Sequence, residues 1–197
     1  MVAGPAMRIL VIIATLLSCS RAMACELSLI TPARSLPTHA VQAHARLADE
    51  TLSVHFSVSA PSLNAKKVLA PGEYPYQFDV VELFVTFSDT GFPYFEFEVS
   101  PYNRTFQVRI VSAKQHQEGV DLGLISTATI APPGWTTELK IPLKPLGWDG
   151  DSTKIRGNLY SILGSKPKRS YWSTFLPKAK KPDFHQPQYF KPLLPCS

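Results

Sequence analysis

The stretch Asp79-Val80-Val81-Glu82-Leu83-Phe84-Val85-Thr86-Phe87, with its continuation Tyr94-Phe95-Glu96-Phe97-Glu98-Val99-Ser100, decides the fold of this 197-residue chain. Both segments are rich in β-branched and aromatic residues, and successive side chains on a strand point to opposite faces. In the first, Val81, Leu83, Val85 and Phe87 share one face and Val80, Glu82, Phe84 and Thr86 the other. In the second, Phe95, Phe97 and Val99 oppose Tyr94, Glu96, Glu98 and Ser100. Ser88-Asp89-Thr90-Gly91-Phe92-Pro93 between them carries the Asp, Gly and Pro of a hairpin connection longer than two residues. A third strand is expected over residues 105–111, with Phe106, Val108 and Ile110 inward and Gln107 and Arg109 outward. That arrangement places Glu82, Glu96, Glu98, Gln107 and Arg109 on one sheet surface. Acceptors and a fork-shaped donor among aromatic rings suit a hydroxyl-rich ligand, while plain alternation also describes a solvated outer face.

Working outward, Leu52 to Val58 alternates cleanly, with Leu52, Val54, Phe56 and Val58 inward. Residues 41–47 read as a strand or a short helix, and the inward set Val41, Ala43, Ala45 and Leu47 favours the strand. Trp135 to Pro142 is another alternating strand, with Trp135 in the core, and further strands are expected over 125–130, 156–163 and 171–175. Residues 61–77 form a long Pro-containing connection that carries Tyr74 and Tyr76. Short strands at regular spacing, 18 prolines and no strong helix describe an all-β chain, an antiparallel β-sandwich with jelly-roll or immunoglobulin-like layers and long Pro-rich loops.

A hydrophobic fraction of 45% with 18% charged residues excludes a disordered chain. The net charge of +5 is modest, and its lysines are spread through loops instead of along one helix, which argues against a nucleic-acid partner. Arg8, the apolar run Ile9 to Leu17 and Ala22-Met23-Ala24 form an export signal over 1–24, followed by one domain over 25–197. The expected location is therefore exported: periplasmic, cell-envelope or secreted. Leu16-Leu17-Ser18-Cys19 also resembles a lipoprotein box, which would tether Cys19 to a membrane. Either route leaves Cys25 and Cys196, an even pair in an oxidising compartment and an expected disulfide. Asp149-Gly150-Asp151 offers two carboxylates toward calcium without further spaced oxygen ligands.

Three ordered stretches resemble the family 9 carbohydrate-binding modules: Asp79 to Phe84 with Tyr94 to Pro101, Trp135 to Pro142, and Phe184-His185-Gln186-Pro187-Gln188-Tyr189-Phe190. The resemblance implies a β-sandwich that binds oligo- or polysaccharide without cleaving it, in support of polysaccharide catabolism. It implies that Glu82 and Arg109 hydrogen-bond the sugar, that Asn158 and Trp172 take part, and that Tyr74 or Tyr76 replaces a Trp expected beside the ring. Family members often hold structural calcium, whose ligands the sequence does not place here. Lys191 stands where relatives have Gly after the final Phe.

Other readings stay open. Glu96 and Glu98 are paired carboxylates, as in glycosidases, but residues two apart on a flat strand do not flank a scissile bond. A haem-binding relative with a Met ligand is excluded, because Met1, Met7 and Met23 all lie in the signal segment. A cell-envelope interaction module without a sugar ligand would show a continuous exposed apolar patch in place of a polar cleft.

Overall fold

The computed structural model describes residues 23–30, 39–176 and 182–194. Most of the expected signal segment, up to Ala22, with Cys19 as the alternative lipidation site, and Cys196 of the expected disulfide lie outside these residues. Twelve strands follow in order: β1 (Met23–Ser28), β2 (Ala40–Ala48), β3 (Thr51–Ser59), β4 (Val80–Thr86), β5 (Tyr94–Val99), β6 (Thr105–Ser112), β7 (Gln115–Glu118), β8 (Ile125–Ala131), β9 (Gly134–Pro142), β10 (Arg156–Leu163), β11 (Ser170–Ser173) and β12 (Lys191–Pro192). One sheet has five strands in the order β1-β2-β3-β9-β8. The other has seven, in the order β11-β10-β4-β5-β6-β7, with β12 added beside β10. All strand pairings are antiparallel, so the expected β-sandwich is the fold found.

The layer between the sheets is built by the alternation seen in the sequence. From one side come Val54, Phe56, Leu139 and Ile141, and from the other Val81, Leu83, Val85, Phe95, Phe97 and Leu159. Trp135 belongs to this layer. Residues 41–47 are strand, with Val41, Ala43, Ala45 and Leu47 buried in turn. The Pro132-Pro133 turn enters β9 through Gly134, where a Cβ would stand 1.8 Å from the Val58 carbonyl oxygen, so only glycine lets β9 lie this close to β3.

The seven-stranded sheet departs from a simple sandwich, because its outer face is also covered. Every residue of β4 and β5 is buried. A second apolar cluster of Phe84, Tyr94, Val108, Ile110, Tyr160 and Phe190 lies on that outer face, with Phe92, Phe106 and Phe184 packed against it. Its cover comes from the segment after β11: Phe184 stacks on Tyr160 at 4.0 Å between ring centroids, and Phe190 packs edge-on to Tyr94 at 5.4 Å.

This second cluster corrects the expected facing of β6. Phe97 is paired with Gln107 and Phe95 with Arg109, whereas Glu96 is paired with Val108 and Glu98 with Phe106. Directly opposed residues share a face, so Gln107 and Arg109 turn toward the inter-sheet side and Phe106, Val108 and Ile110 join the glutamates outside. Apolar character did not reveal the direction, because both faces of this sheet bury apolar groups. Residues 112–118 hold the end of β6, the turn and β7.

Candidate functional site

The outer face of the seven-stranded sheet is an ordered grid. Tyr160, Glu82, Glu98 and Phe106 stand in one row across β10, β4, β5 and β6. The next row is Asn158, Phe84, Glu96, Val108 and Glu118. Over part of this grid lies a cavity of about 760 Å³. Its floor holds Glu82, Glu96 and Glu98 with Phe84 and Val108. Tyr76 and Phe106 form one wall, the β6–β7 hairpin with Lys114 and His116 another, and the segment Pro182 to His185 a third.

Three local devices position the walls. Tyr76 sits in a 3₁₀ turn over Pro75–Gln77, where proline presets the backbone. Its N–H donates to Glu98 Oε2 at 3.0 Å, and Arg169 Nη2 donates to the Tyr76 and Phe78 carbonyl oxygens at 2.5 and 3.3 Å. Buried Asp79 ties the start of the same region to its surroundings, accepting from the Asn64 and Gly164 N–H groups at 2.8 and 2.6 Å. On the opposite wall, Tyr160 donates to the Phe184 carbonyl at 3.1 Å, and the Tyr94 hydroxyl meets His185 Nδ1 at 2.7 Å. His185 Nε2 lies 4.0 Å from Glu96 Oε2.

The three floor glutamates are almost wholly withdrawn from solvent: Glu82 is 2% exposed, Glu96 5% and Glu98 0%. Burial pushes the Glu82 carboxyl well above the ordinary range, and the Glu96 charge adds to this while Arg169 opposes it. Burial also raises Glu98 strongly, reinforced by Glu82 and Glu96. Glu96 is raised by burial, with His185 acting against it. Like charges this close disfavour simultaneous ionisation. A carboxyl of the trio that holds a proton can donate where an ionised neighbour accepts. Glu98 Oε1 is buried and meets no hydrogen-bond partner among the described residues.

The expected site residues divide sharply. Glu82, Glu96 and Tyr76 line the cavity. Tyr74 stands behind Tyr76 as its stacked support, 5.3 Å away and 11° from parallel, with Phe106 edge-on to both. Arg109 and Gln107 face the other way; Gln107 Oε1 accepts the Leu122 N–H at 3.0 Å and so pins the loop after β7. Trp172 is a core residue, 4% exposed in the inter-sheet layer, with its Nε1 donating to Ser170 Oγ at 3.0 Å. Asn158 is on the outer face but wholly buried and committed to the backbone. Its Nδ2 donates to the Phe175 carbonyl at 2.6 Å and its Oδ1 accepts the Phe175 N–H at 3.0 Å. For Gln107, Trp172 and Asn158 the cause is that the fold satisfies the side chain before any ligand arrives, whereas Arg109 is turned away by the register of β6, its buried Nε meeting no partner among the described residues.

Residues that the sequence did not single out include Tyr94, Arg169 and the wall pair Phe184 and His185. The last two lie in the closing stretch that carried part of the resemblance, so a signal was present; Arg169 had none. The acidic turn does not fit calcium. Asp149 Oδ2 accepts from Lys154 Nζ at 2.5 Å, and Asp151 Oδ1 accepts from the Thr153 N–H and hydroxyl at 2.9 and 2.6 Å. No group of three or more His, Cys, Asp or Glu among the described residues is placed to hold a metal ion.

The fold and face together define a two-sheet antiparallel β-sandwich with a walled cavity on one outer surface, and comparison with solved structures gives the same architecture. A protein from Bacteroides uniformis ATCC 8492, named for a proposed carbohydrate-binding role, superposes with a TM-score of 0.69 at 18% identity, over 84% of each chain. A carbohydrate-binding module of family 9 from Caldicellulosiruptor kristjanssonii, solved with cellotriose, gives 0.54 at 17% identity, over 84% of this chain and 78% of that one. The glucose complex of a family 9 module from the same organism gives 0.56 at 16% identity, over 84% and 80%. By sequence, the chain is 29% identical over 160 residues to the UPF0462 protein C4orf33 homolog of Mus musculus, covering 75% of this chain and 79% of that protein. The Rattus norvegicus homolog is 28% identical over 124 residues, or 59% of each. No protein-family model matches the chain.

Proposed function

We propose that this chain is a non-catalytic carbohydrate-binding module of an exported protein, and that its ligand is an oligo- or polysaccharide held in the outer-face cavity. The observation that carries the reading is the cavity itself: an exposed tyrosine wall above three buried glutamates, on a sheet face that a simple sandwich would leave flat and wet. A pyranose ring has apolar C–H faces and a belt of hydroxyls. Tyr76, 38% exposed, suits the ring face, and Glu82, Glu96 and Glu98 suit the hydroxyls, each of which both donates and accepts. The sugars bound by the family 9 structures support this reading.

Binding is favoured over hydrolysis by the grid. Glu82 and Glu98 are direct cross-strand neighbours on one floor, and Glu96 is two residues from Glu98. Glycoside hydrolysis needs carboxyl groups on two sides of the scissile bond, about 5 Å or more apart, with the sugar between them. An interaction module is disfavoured by the scatter of exposed apolar residues: Ile125 and Ile130 lie toward opposite ends of β8 and, five residues apart, on opposite faces.

The test is a glycan-array screen of the folded mature domain, with titration of each hit. Tyr76→Ala should weaken binding about tenfold, since a ring contact contributes on the order of 1 kcal/mol beyond its area. A folded protein that binds no glycan, or a Tyr76→Ala variant that titrates like the parent, would refute the proposal.

A further inference from the structure

We propose, resting on the sugar-binding reading above, that the cavity selects sugars carrying a protonated amine, such as 2-amino-2-deoxy-hexose units, over their neutral counterparts. The chain as a whole is basic, with a net charge of +5. Its cavity is the reverse. Five carboxyl groups line it, Glu82, Glu96, Glu98, Glu118 and Asp183, against one lysine, Lys114, and the two imidazoles of His116 and His185. This local acidity is not a solvated rim, because the three floor glutamates are the most buried carboxyls of the set.

The chemistry of the floor is lopsided in the same direction. A neutral sugar hydroxyl needs both donors and acceptors from its site. The fork-shaped donor that the sequence pattern placed here, Arg109, faces the inter-sheet side with Gln107, and Arg169 spends Nη2 on the Tyr76 and Phe78 carbonyl oxygens. The Tyr94 hydroxyl is engaged by His185. What remains on the floor is carboxyl groups alone, which donate only where they hold a proton, among them Glu98 with Oε1 buried. An ammonium group brings three donors and no acceptor, so it can use every floor carboxyl as an acceptor, where a hydroxyl that is to accept needs one of them protonated. It also gains from the ring faces of Tyr76 and Phe106 on the adjoining wall. A cavity of about 760 Å³ leaves room for the ring that carries the amine.

An arriving ammonium favours the ionised form of the carboxyl it meets. A floor carboxyl that is protonated in the empty cavity then loses its proton to solvent, while the ammonium keeps all of its own. Binding of the amine is thereby coupled to proton release, and binding of a neutral sugar is not.

The experiment is isothermal titration of the full mature chain with glucosamine, glucose and N-acetylglucosamine at mildly acidic pH, in two buffers of different ionisation enthalpy. Glucosamine should bind about tenfold or more tightly than glucose, the worth of one charge-assisted hydrogen bond, and with proton release. N-acetylglucosamine, which keeps the ring and loses the charge, should show no such advantage. The glucosamine-to-glucose affinity ratio should fall toward one in Glu96→Gln, with far-UV circular dichroism checking the fold. Equal affinities for glucosamine and glucose, or a ratio unchanged in Glu96→Gln, would overturn the inference and leave the sugar-binding reading standing. Failure of the folded protein to bind any of the three sugars or any array glycan would overturn both.

Discussion

Replacing Asn158 by alanine should unfold the domain more readily instead of simply emptying its cavity. The side chain is fully buried and makes two hydrogen bonds to one backbone unit: Nδ2 to the Phe175 carbonyl and the Phe175 N–H to Oδ1. It also accepts from Ser173 Oγ at 3.3 Å, but that hydroxyl keeps a second partner in the Phe175 carbonyl at 2.6 Å. The variant therefore orphans the Phe175 N–H and removes one of the two donors to the Phe175 carbonyl, which keeps Ser173 Oγ. At roughly 1–2 kcal/mol for each lost and unreplaced bond, the cost is about 3 kcal/mol. For a domain of this size that lowers Tm by roughly 6–12 °C and, at an m-value of about 2 kcal/mol/M, the urea midpoint by about 1.5 M. Asn158→Asp keeps the acceptor and loses the donor. Its deficit should shrink as the pH falls and the new carboxyl takes up a proton to face the Phe175 carbonyl. Urea denaturation followed by tryptophan fluorescence, beside a sugar titration of the folded variant, reads both effects. An Asn158→Ala protein with an unchanged midpoint and abolished sugar binding would refute the structural role and return Asn158 to the ligand.

Two further outcomes follow from the floor and from β6. Glu82, Glu96 and Glu98 have carboxyls raised by burial, so their contribution to stability is complete below the unfolded carboxylate range and is lost as pH rises through the folded values. Glu98→Gln should therefore gain on the parent by up to about 1.4 kcal/mol per pH unit across that window; urea midpoints in acid and at mildly alkaline pH would show a gap that widens upward, and a constant or inverted gap would contradict the assignment. Arg109→Ala should leave sugar affinity within about twofold, as for a change away from the ligand, whereas a tenfold loss by titration would place Arg109 in the site after all.

How far the residues disclosed this protein depends on how many faces each strand buries. For β2, β3 and β9 one face is buried and the other more open, and the inward sets such as Leu52, Val54 and Phe56 stood out in the alternation. For β4, β5 and β10 both faces are buried, and alternation sorts side chains into two groups without saying which group meets the other sheet. Where β5 carried Phe95 and Phe97 against Glu96 and Glu98, charge broke the tie correctly. Where β6 carried Phe106, Val108 and Ile110 against Gln107 and Arg109, the same reasoning inverted the strand. Glu82, Glu96 and Tyr76, which line the cavity, were legible as candidates because a carboxylate on a core strand and a tyrosine in a long loop are unusual placements. The commitments of Asn158 and Trp172 were not legible, since each depends on a partner distant in space from any pattern, the Phe175 backbone and the inter-sheet layer.

The second apolar cluster sets limits on how this surface can diversify. The floor glutamates share their sheet face with Phe84, Tyr94 and Tyr160, the same rings on which the segment carrying Phe184 and Phe190 is seated. A substitution in the floor therefore alters the cavity lining and the seating of that segment together. Tyr76, Lys114 and His116 at the tip between β6 and β7, and His185 stand above the floor and are members of neither apolar cluster. If the sugar-binding proposal holds, substitutions in those walls should change ligand preference with less cost to the fold than substitutions in the carboxyl floor.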